Sequence, residues 1–210
     1  MVNIVLIGKQ GSGKGTQAKL LANKFNLKHI NTGAFFRKHI ADKTPLGIIA
    51  EKHIRKGELV PDKYVFQLIE ESIEPHIKGL VFDGFPRTYE QAIYIVKRYE
   101  IDQIIFLDLP VEIARERITS RVECHLCGKT YSLLTAPPIK DGICDNCGSV
   151  VGSRADDKPE AIDKRLSEFV EKTNILIDFF DKDGIVTTIN ANDVVDNVNE
   201  KVSKIVGDLI

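Results

Sequence analysis

A glycine-rich turn near the start of the chain is the feature that most restricts how it can fold. An apolar run at residues 2–7 leads into the sequence Gly8-Lys9-Gln10-Gly11-Ser12-Gly13-Lys14-Gly15-Thr16, and residues with helical spacing follow. Glycines let the backbone N–H groups of such a turn point inward, the following helix adds positive potential, and Lys14 supplies a charge. The turn therefore predicts a phosphate-binding loop between a buried strand and a helix, in preference to a tight turn with an incidental lysine.

Apolar, β-rich runs alternate with amphipathic helical patterns along most of the chain. The runs that predict strands span residues 2–7, 28–31, 80–83, 104–108 and 185–189. The patterns that predict helices span residues 16–25, 33–56, 62–74, 89–99, 111–121, 159–181 and 193–209. This alternation predicts an α/β fold with a parallel sheet, whose ligands bind at the carboxyl ends of the strands. The pattern at 111–121 would also place Arg117 and Arg121 on one helix face.

The composition limits the partners that this chain can have. Of its 210 residues, 43% are apolar and 28% are charged, and the formal net charge is -1. A nucleic-acid binder usually carries a basic excess, and no apolar stretch has the length of a membrane span. Because the sequence also lacks a cleavable signal at its start, we expect a cytoplasmic protein without nucleic-acid or membrane partners, and a monomer by default.

Four cysteines form two pairs with the spacing of a zinc ribbon. Sixteen residues separate the pair Cys124 and Cys127 from the pair Cys144 and Cys147. Four thiolates suit tetrahedral zinc and leave no open coordination position, so the pattern predicts a structural Zn²⁺ site. Iron is a second candidate, because four thiolates also suit it. Disulfides or free thiols would also account for the four cysteines, although a reducing compartment disfavours disulfides.

The cysteines lie in a segment that interrupts the alternation of strands and helices. Residues 122–157 contain several glycines, a Pro137-Pro138 pair and few helical signals. A structureless loop of this length is uncommon in a compact domain, and so short a segment cannot bury enough apolar surface by itself. We therefore predict a small inserted subdomain whose fold is fixed by the metal.

A second motif ends the third predicted strand, where the sequence reads Phe82-Asp83-Gly84-Phe85-Pro86-Arg87-Thr88. Asp83 could hold a magnesium-bound water and Arg87 could bind a phosphate, although a strand end with a capping aspartate is the plainer alternative. The motif becomes far more specific together with the phosphate loop and the segment Asn31-Thr32-Gly33-Ala34-Phe35-Phe36-Arg37. Over essentially its full length, the chain resembles the adenylate kinases whose long lid carries a metal-binding cysteine cluster.

The resemblance implies a fold, a division into domains and a reaction. The fold is α/β, the phosphate-loop nucleoside monophosphate kinase fold, with a five-stranded parallel sheet flanked by helices and a small zinc-ribbon-like lid. The core would comprise residues 1–30, 61–119 and 158–210, with an AMP-binding insertion at 31–60 and a lid at 120–157. The implied reaction is the reversible transfer of the terminal phosphoryl group of Mg-ATP to AMP, which gives two ADP and serves adenine nucleotide balance. Mg²⁺ would arrive with ATP, and Zn²⁺ in the lid would be structural.

The resemblance also implies roles for individual residues. For ATP binding it implies Gly11, Ser12, Gly13, Lys14, Gly15, Thr16, Arg117, Arg121, Thr130, Tyr131 and Asp193. For AMP binding it implies Thr32, Arg37, Glu58, Leu59, Val60, Gly84, Phe85, Pro86, Arg87, Gln91, Arg154 and Arg165. The implied catalytic residues, which neutralise charge at the moving group, are Lys14, Arg87, Arg121, Arg154 and Arg165. Asp83 would act on magnesium through water, and the ligands of the lid metal would be Cys124, Cys127, Cys144 and Cys147.

Some of these roles carry finer expectations. Gln91 would read the adenine of AMP, whereas Thr130 and Tyr131 would cover the base of ATP. A main-chain carbonyl at Asp193 would read the adenine of ATP. Each arginine of the site also has a structural alternative, such as an ion pair or an interaction with a helix dipole.

Two positions depart from the usual pattern of the family. Gln10 stands where the family commonly has a proline, and we expect only a slight loss of stiffness in the loop. Ala34 stands where the family commonly has an aspartate that supports the water shell of magnesium. Asp83 is therefore expected to carry more of that duty, and the affinity for magnesium is the property most affected.

Two different functions stay open at the level of the sequence. The nearer one is a kinase of the same fold that uses another nucleoside monophosphate as acceptor or GTP as donor. The more distant one is a nucleotide-binding module whose zinc ribbon contacts nucleic acid or a protein. Such a ribbon is expected to be basic and rich in aromatic residues, whereas residues 122–157 have mixed charge and contain Tyr131 as their only aromatic residue.

Overall fold

The computed structural model of the protein describes residues 1–73 and 78–210. In chain order the strands are β1 (Val2–Gly8), β2 (Lys28–Asn31), β3 (Gly79–Asp83), β4 (Gln103–Asp108), β5 (Arg121–Cys124), β6 (Thr130–Ser132), β7 (Val151–Gly152) and β8 (Val186–Asn190). The helices are α1 (Lys14–Phe25), α2 (Thr32–Ala41), α3 (Pro45–Ile54), α4 (Asp62–Ser72), α5 (Tyr89–Arg98), α6 (Val111–Thr119), α7 (Pro159–Glu168), α8 (Ile175–Asp181) and α9 (Val195–Gly207). A π-helical segment, Phe169–Thr173, links α7 to α8. Within the described ranges, the helices are too short or too polar to cross a membrane.

The strands of the described chain confirm the predicted α/β fold. Five of them form one parallel sheet in the order β2-β3-β1-β4-β8, and each agrees with a predicted strand to within one residue at either end. Leu6 in the central strand β1 pairs with Asp83 on one side and with Ile105 on the other. The carboxyl ends of β1 and β3 therefore lie side by side, which brings the two sequence motifs together.

Apolar side chains of the sheet alternate between two buried layers. Val5 and Ile7 pack with Phe82 on the face that is covered by α2, α3, α4, α5 and α8. Ile4 and Leu6 belong to the opposite layer, against α1, α6, α7 and α9. Because central parallel strands are buried on both faces, they read in the sequence as short continuous apolar runs. The two layers thus cover both faces of the sheet, and the loops with the two motifs follow its carboxyl edge.

Some helix predictions differ from the structure. The predicted helix at 33–56 is two helices, because the chain turns after α2 and a new helix, α3, begins at Pro45. Thr44 caps this second helix, and its hydroxyl accepts a hydrogen bond from the N–H of Gly47 at 3.0 Å. The predicted helix at 159–181 includes the π-helical segment. The predicted helix at 62–74 ends at Glu74, which lies outside the described residues.

A second, smaller sheet lies in the region of the predicted insertion. Strand β5 is its centre and pairs in antiparallel fashion with β6 and β7. Its small core consists of Val122, Cys124, Tyr131, Cys144 and Val151. The division of the chain into a core, an insertion at 31–60 and a lid at 120–157 stays a prediction.

Candidate functional site

The predicted phosphate loop lies at the carboxyl edge of the main sheet, between β1 and α1. Gly11 and Gly13 have φ angles of +83° and +91°, a backbone conformation that favours glycine. A Cβ on Gly11 would lie 2.8 Å from the carbonyl oxygen of Ala114, whereas one on Gly13 would meet nothing within 4 Å. Gly13 is the N-cap of α1, and because it has no side chain it leaves the first N–H groups of the helix uncapped. Ser12 is buried, and Thr16 is exposed. The backbone thus leaves room for an anion at a helix N-terminus.

Lys14 reaches back over this loop from the first position of α1. Its ammonium group donates hydrogen bonds to the carbonyl oxygens of Gly8 at 2.6 Å and Lys9 at 2.7 Å. Burial lowers the pKa of Lys14 to about 7; the Asp83 carboxylate opposes this shift, and the Arg87 guanidinium adds to it. Opposite charge favours the protonated form of a lysine. A polyphosphate on the loop would therefore raise the pKa of Lys14 again.

Asp83, the last residue of β3, lies directly beside the loop. Its Oδ2 accepts a hydrogen bond from Asn31 Nδ2 at 2.5 Å and lies 3.3 Å from His29 Nε2. A Cβ on Gly15 would approach the same oxygen to 3.2 Å, so glycine at this position lets the carboxylate lie close to the start of α1. Asn31 and His29 are neighbours that sequence reasoning did not assign. They lie on β2, and only its pairing with β3 places them here.

Arg87 is held at the turn that follows β3. Its Nε donates a hydrogen bond to the Gly84 carbonyl oxygen at 2.8 Å, and the Thr32 hydroxyl donates to the same oxygen at 2.9 Å. Gly84 has a φ of +77°, and a Cβ there would lie 2.8 Å from Nη2 of Arg87. Phe85 and Pro86 are buried, and the peptide bond between them is cis. Burial lowers the pKa of Arg87, which remains a cation.

Gln91 is buried near the start of α5, and both ends of its amide have protein partners. Its Oε1 accepts a hydrogen bond from the backbone N–H of Arg87 at 2.7 Å, and its Nε2 donates to Asp62 Oδ1 at 2.6 Å. The Thr88 hydroxyl, which caps α5, donates to the other oxygen of Asp62 at 3.2 Å. These contacts fix which end of the amide is the oxygen. They also leave one lone pair and one hydrogen of the amide for a ligand.

The segment that follows α3 is docked against α7. A Cβ on Gly57, whose φ is +75°, would lie 2.5 Å from the carbonyl oxygen of Ala161. Val60 is buried, and Leu59 is half-buried. The carboxylate of Glu58 lies 3.4 Å from Nδ1 of His53. Close packing at Gly57 therefore fixes the backbone of the predicted AMP-binding residues.

Two of the predicted arginines share one aspartate. Arg121 donates to Asp157 through Nε at 3.0 Å and through Nη2 at 2.7 Å. Arg165 donates through Nη2 to the same carboxylate at 2.7 Å and through Nη1 to Asp156 at 3.0 Å. Burial tends to raise the pKa of Asp157, but the two arginines lower it below its ordinary value. Asp157 therefore stays ionised and fixes both guanidinium groups.

Arg117 and Arg121 do not share a helix face. Helix α6 ends at Thr119, and Arg121 is the first residue of β5. Arg117 instead donates a hydrogen bond to the carbonyl oxygen of Ala191, at 3.0 Å, and its Nη1 lies 3.5 Å from the carbonyl oxygen of Gly11. The prediction from the i, i+4 spacing is wrong, because the helix ends before the second arginine. Arg117 nevertheless lies beside the phosphate loop.

Asp193 follows β8 in the same loop as Ala191. Its Oδ1 accepts hydrogen bonds from the backbone N–H of Val194 at 2.8 Å and from Asn197 Nδ2 at 2.9 Å, and its Oδ2 accepts one from Lys201 at 3.2 Å. These contacts lower the pKa of Asp193. The side chain thus serves the start of α9, which leaves its main chain as the group for the predicted role.

Arg154 lies on one face of the small sheet with Thr130 and Glu123. Its Nη2 donates hydrogen bonds to the Glu123 carboxylate and to the Thr130 hydroxyl, the latter at 3.2 Å. Burial lowers the pKa of Arg154 to about 10, and the nearby cations Arg121 and Arg37 add to this shift. Arg37 on α2 also lies near Glu123, with 3.7 Å between its Nε and Oε1. The face therefore joins the small sheet to α2.

The Tyr131 ring does not lie on this face. It is buried in the core of the small sheet, where its hydroxyl donates to Cys144 Sγ at 3.3 Å and accepts from the N–H of Asp145 at 2.8 Å. Successive side chains of a strand point to opposite faces, so Tyr131 and Thr130 cannot both point toward one ligand. The prediction that the Tyr131 side chain covers a nucleotide base is not supported, and only its backbone can contribute.

The four cysteines converge beneath this sheet. Their sulfur atoms all lie within 4.8 Å of one another, and two of the separations are 3.4 Å for Cys124 and Cys147 and 3.5 Å for Cys127 and Cys144. A tetrahedral site with metal–sulfur bonds of about 2.3 Å has sulfur–sulfur separations of about 3.8 Å. The cluster is therefore compatible with a bound metal ion.

Sequence reasoning identified the cations of the site but missed their acidic partners. The adjacent pair Asp156 and Asp157 was a usable signal. Two carboxylates beside a phosphate site repel the phosphate unless neighbouring cations hold and neutralise them. Asp62 and Glu123 gave no such signal. Asp62 lies 29 residues before its partner Gln91, and Glu123 lies 31 residues before its partner Arg154, so only the fold brings them together.

Comparisons with known proteins show the family to which a chain with these motifs belongs. The family profile described as adenylate kinase matches residues 6–185. A protein of Clostridium perfringens named adenylate kinase is 38% identical, and the match covers 98% of both chains. Proteins of the same name from Caldanaerobacter subterraneus and Methanothrix thermoacetophila are each 39% identical; the matches cover 97% of this chain, with 95% and 98% of theirs. The chain belongs to the adenylate kinase family.

Proposed function

We propose that the protein catalyses the reversible transfer of the terminal phosphoryl group of Mg-ATP to AMP, which gives two ADP. The observation that carries this proposal is the convergence of cationic side chains beside the phosphate loop. Arg87 and Arg121 lie near enough to lower the pKa of Lys14, and Arg165 and Arg37 act in the same way on Arg87. Such a cation cluster stabilises a group whose oxygens carry several negative charges. The relatives named adenylate kinase support the same reaction.

This reaction needs no side chain that abstracts a proton. The attacking atom is a phosphate oxygen of AMP, which is mostly ionised at neutral pH because its second pKa is about 6. The protein has to hold the two nucleotides in line and neutralise the moving charge. Asp83, the carboxylate beside the loop, already accepts a hydrogen bond from Asn31 and lies near His29. It is held as an acceptor and not as a free base.

On the ATP side, we assign the polyphosphate to the backbone N–H groups of residues 11–16 and to Lys14. We assign Arg121 to the same phosphates, because it lies near enough to lower the pKa of Lys14 and its guanidinium group is held in place by Asp157. We assign the base of ATP to Arg117, Thr130 and the loop at Asp193.

On the AMP side, we assign the phosphate to Arg37, Arg87, Arg154 and Arg165, and the nucleoside to Thr32 and residues 58–60 and 84–86. The base is assigned to Gln91. Its Oε1 can accept from the exocyclic amino group of adenine, and its Nε2 can donate to the neighbouring ring nitrogen. Guanine presents an oxygen where adenine presents the amino group. Because Asp62 and the Arg87 N–H fix the orientation of the amide, the site favours adenine.

Magnesium enters this site as part of the substrate Mg-ATP. Asp83 is the carboxylate that fits it, through a hydrogen bond to a metal-bound water. Asn31 holds the Asp83 carboxylate and also caps α2, since its Oδ1 accepts from the N–H of Ala34 at 2.7 Å. We infer that Asn31 partly compensates for the absence of a carboxylate at Ala34, because it fixes the remaining acid in place.

Zinc is the metal that we assign to the cysteine cluster, in a structural role. Four thiolates complete its coordination and leave no position for a substrate, so the metal supplies folding energy to a segment with a small core. Residues 31–60 and 120–157 would then close over AMP and ATP as two covers that keep water from the reacting phosphates. Reduced thiolates agree with a cytoplasmic location, and we expect a monomer.

The test is a coupled assay of ADP formation from Mg-ATP with AMP, GMP, CMP or UMP as acceptor, and with GTP as an alternative donor. We expect AMP to be by far the best acceptor and magnesium to be required. Arg87→Ala should lower kcat/KM by about a thousandfold, whereas the control Arg98→Ala, on the exposed side of α5, should leave it unchanged. Binding of Mg-ATP without ADP formation from AMP would contradict the proposal. Preference for another acceptor would favour a different kinase of the same fold.

A further inference from the structure

Glu123 is an acidic residue on the phosphate-binding side of the small sheet. It lies on β5 between Val122 and Cys124, whose side chains are buried in the core of that sheet. Because side chains alternate along a strand, Glu123 points to the opposite face, toward α2, and its side chain keeps 15% of its surface exposed. A carboxylate in this place faces the region where the proposed function puts phosphate.

The Glu123 carboxylate connects two arginines from distant parts of the chain. Oε2 accepts hydrogen bonds from Arg154 Nη2 and, at 3.4 Å, from the hydroxyl of Thr130. Oε1 lies 3.7 Å from Nε of Arg37 on α2. The proposed function assigns both Arg37 and Arg154 to the AMP phosphate. Glu123 thus occupies the same cations as the substrate would.

We propose that Glu123 is a positioning residue that holds Arg37 and Arg154 together as an internal stand-in for phosphate, and that AMP has to displace it. The inference rests on the proposed function, which places the AMP phosphate between these arginines. Glu123 would then set the affinity for AMP without contacting the reacting atoms.

Charge and geometry explain why a carboxylate is present and why phosphate can replace it. Arg37 and Arg154 repel each other, and Arg121 lies close enough to add to this repulsion. A carboxylate offsets the repulsion in the free protein. The contact is incomplete, however, because Arg154 Nε is buried and has no hydrogen-bond partner among the described residues. A phosphate has three oxygens and can accept from Nε and Nη2 of one arginine together, so it is the better ligand.

The expected effect of removing the charge follows from this competition. Glu123→Gln keeps the size of the side chain and can still interact with Thr130, but it removes a negative charge that, once displaced, lies about 8 Å from a dianionic phosphate. At the dielectric constant of water, about 80, this repulsion corresponds to roughly fivefold in affinity. AMP should therefore bind about fivefold more tightly to Glu123→Gln. If Glu123 only aligned the arginines, the same variant would bind AMP more weakly.

The experiment measures the Kd of AMP by titration calorimetry, together with kcat and KM for ADP formation. We expect the Kd and KM of AMP to fall about fivefold in Glu123→Gln and in Glu123→Ala, with a smaller change in kcat. Glu123→Asp keeps the charge and should stay close to the wild type. The matched control is Glu112→Gln, the same substitution at an exposed position of α6. Adenosine, which carries no phosphate, should bind equally to all variants.

The outcomes separate this inference from the proposed function. AMP binding that is unchanged or weaker in a folded Glu123→Gln variant overturns the inference, and so does an equal gain in Glu112→Gln. Thermal unfolding verifies the fold, and Glu123→Ala provides the second test if the glutamine variant is unstable. If the wild type forms no ADP from Mg-ATP and AMP, it is the proposed function that fails.

Discussion

Protonation of Lys14 offers a direct test of how the phosphate loop works. Burial, together with the nearby guanidinium groups, lowers the pKa of this lysine to about 7. A bound polyphosphate brings several negative charges to the ammonium group, which should return its pKa toward the ordinary value of 10.5. Binding of Mg-ATP is therefore expected to take up a proton wherever the free protein holds Lys14 in its neutral form.

The size of this uptake follows from the two pKa values. At pH 8 a group with a pKa of about 7 is charged in about a tenth of the molecules, so binding should take up about 0.9 proton. The uptake should fall to about 0.5 proton at pH 7 and to about 0.1 at pH 6. Mg-ATP binds the protein in which Lys14 is charged. Its affinity should therefore weaken as pH rises, by about fiftyfold between pH 7 and pH 9.

Titration calorimetry in buffers of different ionisation enthalpy measures the proton uptake directly. Lys14→Arg is the control, because arginine stays charged throughout this range and should take up no proton through that side chain. The phosphates of Mg-ATP have lost their last protons by pH 8, so any proton taken up on binding at that pH goes to a group of the protein. An uptake below about 0.2 proton in the wild type, or an equal uptake in Lys14→Arg, would refute this account of Lys14.

The remaining predictions concern the lid, the AMP segment and one arginine. Arg121→Lys loses the two-point contact with Asp157 and should lower kcat by about a hundredfold or more; an equal loss in the exposed control Arg115→Lys would contradict this role. Gly57→Ala forces a Cβ against Ala161 and should cost about 1–3 kcal/mol in denaturant unfolding, with a higher KM for AMP; unchanged unfolding would show that the contact is not tight. Tyr131→Phe should lower Tm and metal retention but leave the KM of ATP unchanged, and a raised KM would restore its predicted role at the base. A chelator should lower Tm more than it lowers turnover at moderate temperature, whereas immediate and equal loss of activity would exclude a purely structural metal.

The main sheet and its two motifs were predictable because their signals are local. A central parallel strand is apolar on both faces, so a run such as residues 104–108 is recognisable without knowledge of its neighbours. The phosphate loop depends on glycines at positions where the backbone itself needs them, as at Gly11 and Gly13. The cysteine spacing likewise encodes its own geometry, and the four sulfur atoms meet as expected.

The details that could not be predicted depend on contacts between distant residues. Helical periodicity continued through Arg121, yet α6 ends at Thr119 because the next residues pair with β6 and β7. In the short strand β6, nothing in the sequence decides whether Thr130 or Tyr131 faces inward. The structure decides it through the hydroxyl of Tyr131, which meets Cys144 in the small core.

The arginines of the site differ in how many of their N–H groups already have hydrogen-bond partners. A guanidinium group has five N–H bonds. Among the described residues, Arg87 uses one of them, on Gly84, whereas Arg165 makes contacts through all three nitrogens, to Ala161, Asp156 and Asp157. Arg87 is therefore fixed in place with its terminal nitrogens available, as electrostatic preorganisation requires. Arg165 has to give up existing contacts before it can contribute fully, so its participation should depend on closure of the site over both nucleotides.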